Sequence, residues 1–371
     1  MKIPDFKLER FFAKHEFKVA HVLCSSDCEA MSVQELLNLE AGATEAFGKH
    51  WLGYTEYEGS LELRQEITRL YQKIGVGNIL VHTGAEEAIF SFMNVAFEPG
   101  DHLIVHFPCY QSLEQVAASN GCEVTRWEAQ EENNWELDIA FLEKAVRPNT
   151  KAIVINTPHN PTGYLMSRAK LVQVVDFARA HKLWLFSDEV YRGMEYREED
   201  RLPAACDLYE KAVSLGVMSK TYGLAGLRIG WIATQDEKLY QKMMAFKDYL
   251  SMCNSASGEF LATLALRQKE KIVRRNMGII RENLDMLNVF FARYQNLFNW
   301  QAPKAGAIAF PGLKQGLEAE KFCLDLLDKK GVLLLPSPNY DFGDRNFRLG
   351  FARRNMPQAL GQLDNYLQEH F

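Results

Sequence analysis

Between about residues 79 and 234, short apolar runs alternate with stretches whose apolar positions recur at helical spacing. The runs are Ile79–Thr83, Leu103–Phe107, Glu123–Trp127, Ala152–Asn156, Leu183–Ser187, Ala212–Met218 and Gly230–Thr234. Runs such as AIVIN and LWLFS leave no face for water. That suits strands of a mostly parallel sheet covered by helices on both sides. A helix is predicted over Glu86–Ala96, after a Thr-Gly turn and before Glu98-Pro99-Gly100. Another is predicted over Ser167–His181, where Ser167 is the cap and Leu171, Val174, Val175 and Ala178 form one stripe. The βαβα order gives the class α/β. After residue 237 the character changes. Helices are predicted over Glu237–Tyr249, Ser257–Gln268, Glu270–Tyr294, Glu318–Lys330 and Pro357–His370. Short strands are predicted at Ala307–Phe310, Val332–Leu335 and Asn346–Phe351. The expected organisation is a large domain over 49–270, built on a seven-stranded sheet, and a smaller α+β domain over 271–371. An N-terminal arm, 1–48, packs with the small domain.

A chain of 371 residues exceeds one ordinary core, in keeping with two domains. Net charge is -6, which argues against a nucleic-acid or membrane-surface partner and points to a small-molecule substrate. The seven cysteines are odd in number and follow no framework spacing, so they read as reduced thiols. His21, Cys24 and Cys28 resemble part of a metal site but have no fourth ligand nearby. Buried thiols are the favoured reading, and no metal is expected. The opening MKIPDFKLERFF has no apolar leader core, and no run has the length of a membrane span. The expected location is the cytoplasm.

Three segments place polar residues directly after apolar strands, where ligands of open α/β sheets bind. They are Asn156-Thr157-Pro158-His159-Asn160-Pro161-Thr162-Gly163, then Ser187-Asp188-Glu189-Val190-Tyr191, then Ser219-Lys220 running to Arg228. Each has a bland reading: a turn, a helix cap, a solvated lysine, a structural ion pair. Those readings do not explain why an Asn, an Asp, a Tyr, a Lys and an Arg end successive strands.

NTPHNPTG, SDEVYRG and SKTYGLAGLRIGW resemble the three fingerprints of the class I/II aminotransferases, the fold-type-I enzymes of pyridoxal 5'-phosphate (PLP). The likeness runs from Trp51 to Arg348. It implies a Schiff base between PLP and Lys220, whose freed amine then acts as general base. It makes Asp188 the partner of the pyridine nitrogen, and Asn160 and Tyr191 the donors to the phenolic oxygen. Arg228, Ser219 and the turn Gly84, Ala85 and Glu86 would hold the phosphate. Tyr110 would stack on the ring. Tyr54 would reach the neighbouring subunit's phosphate, which makes the active unit a homodimer with shared sites. Arg348, with Asn160, would grip the substrate carboxylate. The implied reaction moves an amino group between an amino acid and a 2-oxo acid.

The chain departs from the family pattern in places. Val217 stands where relatives carry a small residue three positions before the lysine. Cys24-Ser25-Ser26-Asp27-Cys28-Glu29 replaces a Gly-rich turn. Asp27 or Glu29 either receives a basic or polar substrate side chain or caps a helix over Met31–Leu39, and the cap is the favoured reading. No second substrate arginine is evident, which disfavours aspartate specificity. The alternative activity is a PLP lyase or cyclase of the capreomycidine-forming type. A binding or regulatory role is a third reading, and no helix-turn-helix segment supports it.

Overall fold

A computed structural model describes residues 2–314 and 316–371. Seven strands form one sheet: β1 Ile79–His82, β2 His102–Phe107, β3 Glu123–Glu128, β4 Thr150–Asn156, β5 Trp184–Asp188, β6 Ala212–Val217 and β7 Gly230–Thr234. Their order is β1-β7-β6-β5-β4-β2-β3. Only β7 runs antiparallel to its neighbours, β1 and β6. Alternation along the central strands feeds two cores. Val154, Phe186 and Val213 join the core on one face, and Ile153, Ile155 and Leu185 join the core on the other. Helix Ala85–Val95 covers the first face with Ala88, Ile89, Phe92 and Met93. Helix Arg168–Ala180 covers the second with the expected stripe, and the Ser167 hydroxyl accepts from the Lys170 N–H at 3.2 Å. The α/β class and the mostly parallel sheet stand as read from the pattern.

The second half holds shorter elements. Phe347–Gly350 lies between Ile308–Ala309 and Leu335–Pro336, antiparallel to both. The single strand expected over Val332–Leu335 is instead two. Val332–Leu333 pairs in parallel with His21–Val22, and Leu335–Pro336 turns to Phe347–Gly350. The helix expected over Met31–Leu39 is shorter, Val33–Leu37, and its cap is Ser32, with Glu35 closing a capping box. Neither Asp27 nor Glu29 caps it, which corrects the favoured reading of those acids. The long helix Lys269–Arg293 ties the two halves through buried amides. Asn276 Nδ2 donates to the Thr221 carbonyl at 3.0 Å, next to Lys220. Asn283 Nδ2 donates to the carbonyls of Phe351 and Arg353, each at 2.8 Å.

The N-terminal segment enters the fold beside this strand. The Leu23 N–H donates to the Leu333 carbonyl and the Gly350 N–H to the Leu23 carbonyl, both at 3.0 Å. A Cβ at position 350 would lie 1.9 Å from the Ser25 carbonyl oxygen, so only glycine lets residues 23–26 pass here. That passage carries the segment over the ends of the central strands.

Candidate active site

A cavity of about 560 Å³ opens at the carboxyl ends of β4, β5 and β6. Asn156 is level with Asp188, and Asp188 with Leu215, so residues just beyond each strand converge. Lys220, Asp188, Tyr191, Asn160, Arg228 and Arg348 all line it. A larger cavity of about 760 Å³, bounded by Arg192, Glu195, Tyr222 and Arg274, holds none of these six.

Lys220 follows β6 by three residues, and its Nζ donates to Ser26 Oγ at 2.8 Å. Burial lowers the pKa of this amine. Asp27 opposes the shift and Arg348 adds to it. A less basic amine is more readily free to attack a carbonyl carbon. The Asp188 side chain is buried, and burial pushes its pKa up to about 7 against the bond from the Val190 N–H at 3.2 Å and the field of Lys220. A carboxylate so placed is stabilised by a cation brought to it. The Tyr191 hydroxyl donates to the Ser26 carbonyl at 2.9 Å, and burial raises its pKa far above the ordinary phenol value. Asn160 is held by its own N–H, which donates to Asn156 Oδ1 at 2.6 Å. Its Oδ1 accepts from Tyr340 at 3.2 Å and from Arg348 Nη1 at 3.3 Å. That fixes the amide and leaves its NH₂ group as the donor for a ligand.

The other end of the cavity is a cradle without room for side chains. Gly84 has φ +84°, and a Cβ there would stand 2.6 Å from Arg228 Nη2. A Cβ at Gly230 would stand 2.7 Å from the Gly84 carbonyl carbon and 2.8 Å from the Ala85 nitrogen. The guanidinium therefore abuts the start of the helix Ala85–Val95, where free N–H groups attract an anion. Glu86 lines the same end. Burial pushes its carboxyl up to about 7, although the Ser112 hydroxyl donates to it at 3.0 Å, so near neutrality it repels an anion less than an ordinary carboxylate. Ser219 and Ala85 also face this end.

The mouth is assembled from distant parts of the chain. Arg348, 2 % exposed, donates from Nε to the Cys24 carbonyl at 3.1 Å and from Nη1 to the Tyr340 hydroxyl at 2.7 Å. Its guanidinium lies 5.5 Å from the Phe12 ring centre. The Tyr110 hydroxyl donates to Glu9 Oε1 at 2.9 Å. Asp27 lines the cavity and pairs with Arg353 Nη2 at 2.8 and 2.9 Å. Glu29 does not line it and accepts from the Arg354 N–H at 3.3 Å. Val217 lines the cavity where a small residue was the family pattern. Tyr54 lies outside the cavity and is 81 % exposed. Cys24 and Cys28 are buried thiols, each pushed up to about 12 by burial. No group of three or more His, Cys, Asp or Glu suited to a metal occurs among the described residues.

Sequence reasoning missed Ser26, Tyr340, Glu9 and Glu16. Ser26 lies in the unusual Cys24–Glu29 segment, where the acids Asp27 and Glu29 drew attention instead. Glu9 and Glu16 sit on and just after an ordinary amphipathic helix, Lys7–His15, with no mark to separate them from surface acids.

A poised buried amine, a buried carboxylate awaiting a cation and a glycine-lined anion cradle beside Arg228 fit an aromatic aldehyde that bears a ring nitrogen and a phosphate. Fold and site together define a pyridoxal 5'-phosphate enzyme. The family model described as aminotransferase class I and II matches residues 22–361, and the chain belongs to that family. A PLP-dependent aminotransferase from Streptococcus suis 89-1591 superposes with a TM-score of 0.94 at 32% identity, covering 100% of this chain and 99% of that one. The chain is 28% identical over 304 residues to capreomycidine synthase of Streptomyces vinaceus, 80% of this chain and 76% of that protein. It is 26% identical over 340 residues to aromatic-amino-acid aminotransferase 2 of Thermococcus litoralis, 88% of this chain and 87% of that protein. The chain is thus a PLP-dependent aminotransferase by family. Among the described residues no helix is long and apolar enough to cross a membrane.

Proposed function

We propose that this enzyme moves an amino group between an L-amino acid and a 2-oxo acid, with Lys220 as covalent anchor and proton carrier. The observation that carries the reading is the Lys220 amine, buried in one cavity with Asp188, Arg228 and Arg348. When bound, the cofactor supplies an electron sink that lets a bond at the substrate Cα break. Arg348 takes the substrate carboxylate and, with the Asn160 amide, sets the orientation of Cα. The Lys220 amine takes the Cα proton and hands it on. Asp188 holds a proton on the ring nitrogen. The Asn160 amide would donate to the ring oxygen, the Tyr191 hydroxyl would turn to it from the Ser26 carbonyl, and Tyr110 would stack on the ring face. Arg228, Ser219 and residues 84–86 hold the phosphate.

The proposed organisation is a PLP-binding domain over 49–270 and a small domain over 271–371 joined by the arm. The proposed active unit is a cytoplasmic homodimer. Trp51, Leu52, Tyr54 and Tyr249 are all more than three-quarters exposed, an apolar surface suited to a second copy whose Tyr54 completes the phosphate site. A second reading, a lyase or cyclase, draws on the similarity to capreomycidine synthase. The separating experiment incubates the loaded enzyme with a panel of L-amino acids, with and without a 2-oxo acid. Product that forms only with the acceptor, and is lost in Lys220→Ala, supports amino transfer. Ammonia or a cyclised product without acceptor supports the second reading. Undiminished turnover by Lys220→Ala defeats both.

A further inference from the structure

The mouth of the cavity carries more acid than its assigned roles use. Five carboxyl residues line the cavity, Glu9, Glu16, Asp27, Glu86 and Asp188, against three bases, Lys220, Arg228 and Arg348. Arg228 and Arg348 are matched by the phosphate and the substrate carboxylate. Asp188 faces the ring nitrogen, and Asp27 already has Arg353. Burial leaves Glu86 near neutrality. Glu9 and Glu16 remain, and neither has an ion pair among the described residues. Glu9 accepts one bond, from Tyr110, on Oε1 only. Glu16 has neither an ion pair nor a side-chain hydrogen bond among the described residues, and burial with the field of Asp27 raises its pKa against the more distant fields of Arg353 and Arg348. An independent feature lines the same cavity. Ser25 is 6 % exposed, lines the cavity and has a hydroxyl with no hydrogen-bond partner. The rings of Phe6, Phe12 and Tyr110 wall the same opening.

We infer that the mouth receives a cationic substrate side chain of the guanidinium type, held between the carboxylates of Glu9 and Glu16 with Ser25 Oγ as a further acceptor. This rests on the amino-acid reading of the site given above. Both carboxylates and the hydroxyl are acceptors, which suits the five donors of a guanidinium and leaves a neutral or acidic side chain unsatisfied. The aromatic walls favour a flat, weakly hydrated cation over an ammonium. Glu9 and Glu16 are specificity-determining residues here and take no part in bond breaking.

The test is calorimetric titration of cofactor-loaded protein with L-arginine, L-lysine and L-citrulline, the last being nearly isosteric with arginine but uncharged. The expected order is arginine, then lysine, then citrulline, with arginine roughly 30-fold tighter than citrulline, the scale of hydrogen bonds to a charged group. In Glu9→Gln/Glu16→Gln the arginine-to-citrulline ratio falls toward one, and Glu16→Gln alone lies between. Equal affinities in the unmodified protein, a ratio unmoved in the double variant, tighter binding of lysine than arginine, or no arginine binding at all would each overturn the inference. Binding is read by heat, so a protein that prefers arginine yet transfers no amino group contradicts the amino-transfer reading alone.

Discussion

The floor and the mouth of the cavity are built in opposite ways. On the floor, Asn160, Asp188, Tyr191 and Lys220 each end, or follow within a few residues, a strand of one sheet, and the register of β4 to β6 sets their spacing. At the mouth, the Arg348–Tyr340 contact is local, and the others named join remote parts of the chain. Glu9 and Tyr110 are 101 residues apart, Arg348 and Cys24 are 324 apart, and Arg353 and Asp27 are 326 apart. The floor is held by a largely buried ladder of backbone hydrogen bonds, and the mouth by side chains and one glycine passage. Changes at the mouth should therefore alter which amino acid is used, and changes on the floor should alter whether the cofactor is held and works.

The strongest way to break that contrast is Arg348→Lys. An ammonium cannot reproduce a bidentate grip on a carboxylate, and KM for the amino acid should rise about 100-fold while cofactor affinity stays put. Steady-state kinetics beside a cofactor titration decide it, and loss of the cofactor itself would merge the two regions. Gly350→Ala comes next. Its methyl would collide with the Ser25 carbonyl, displacing residues 23–26 at about 1–3 kcal/mol. Differential scanning calorimetry should find a lower Tm, and substrate titration a weaker amino acid, with the visible band of the cofactor still present. The smallest effect sharpens the floor. Asp188 has a raised pKa in the folded chain without cofactor, so ionising it opposes folding. The penalty is absent near pH 3, below the unfolded pKa of about 3.9, grows as pH rises toward 7, and is constant above that. Asp188→Asn without cofactor should match the unmodified chain near pH 3 and melt a few degrees higher at pH 8. Equal melting at both pH values would show that the carboxylate is not strained.

The same contrast explains what the sequence made legible. The floor residues lie in short contiguous motifs after apolar runs, and the strand pattern located all seven strands of the sheet to within two residues. The direction of β7 was not legible, because GWIAT is apolar on both faces and reads alike whichever way it runs. The cap of Val33–Leu37 was written as Ser32-x-x-Glu35, a capping-box signature stronger than the acids further upstream. The break at Leu334 depends on two different partner strands, His21–Val22 and Phe347–Gly350, and no local pattern encodes both. Glu9, Glu16 and Tyr340 became visible only with the fold, since Glu9 meets Tyr110 and Tyr340 meets Asn160 across 101 and 180 residues of chain, and Glu16 is marked only by the cavity it lines.

Among the described residues two lysines have lowered pKa values, and they separate the account from its nearest rival. Lys247 is 1 % exposed and donates to the carbonyls of Tyr57 at 3.1 Å and Met252 at 2.7 Å, the surroundings of a structural ammonium. Among the described residues the Lys220 amine hydrogen-bonds the Ser26 hydroxyl alone, and it faces the cavity. Borohydride reduction of the cofactor-loaded protein, followed by peptide mass mapping, reads the attachment directly. The account predicts the pyridoxyl phosphate adduct on Lys220 alone. An adduct on Lys247 or another lysine, or no adduct in protein that holds the cofactor, would contradict it.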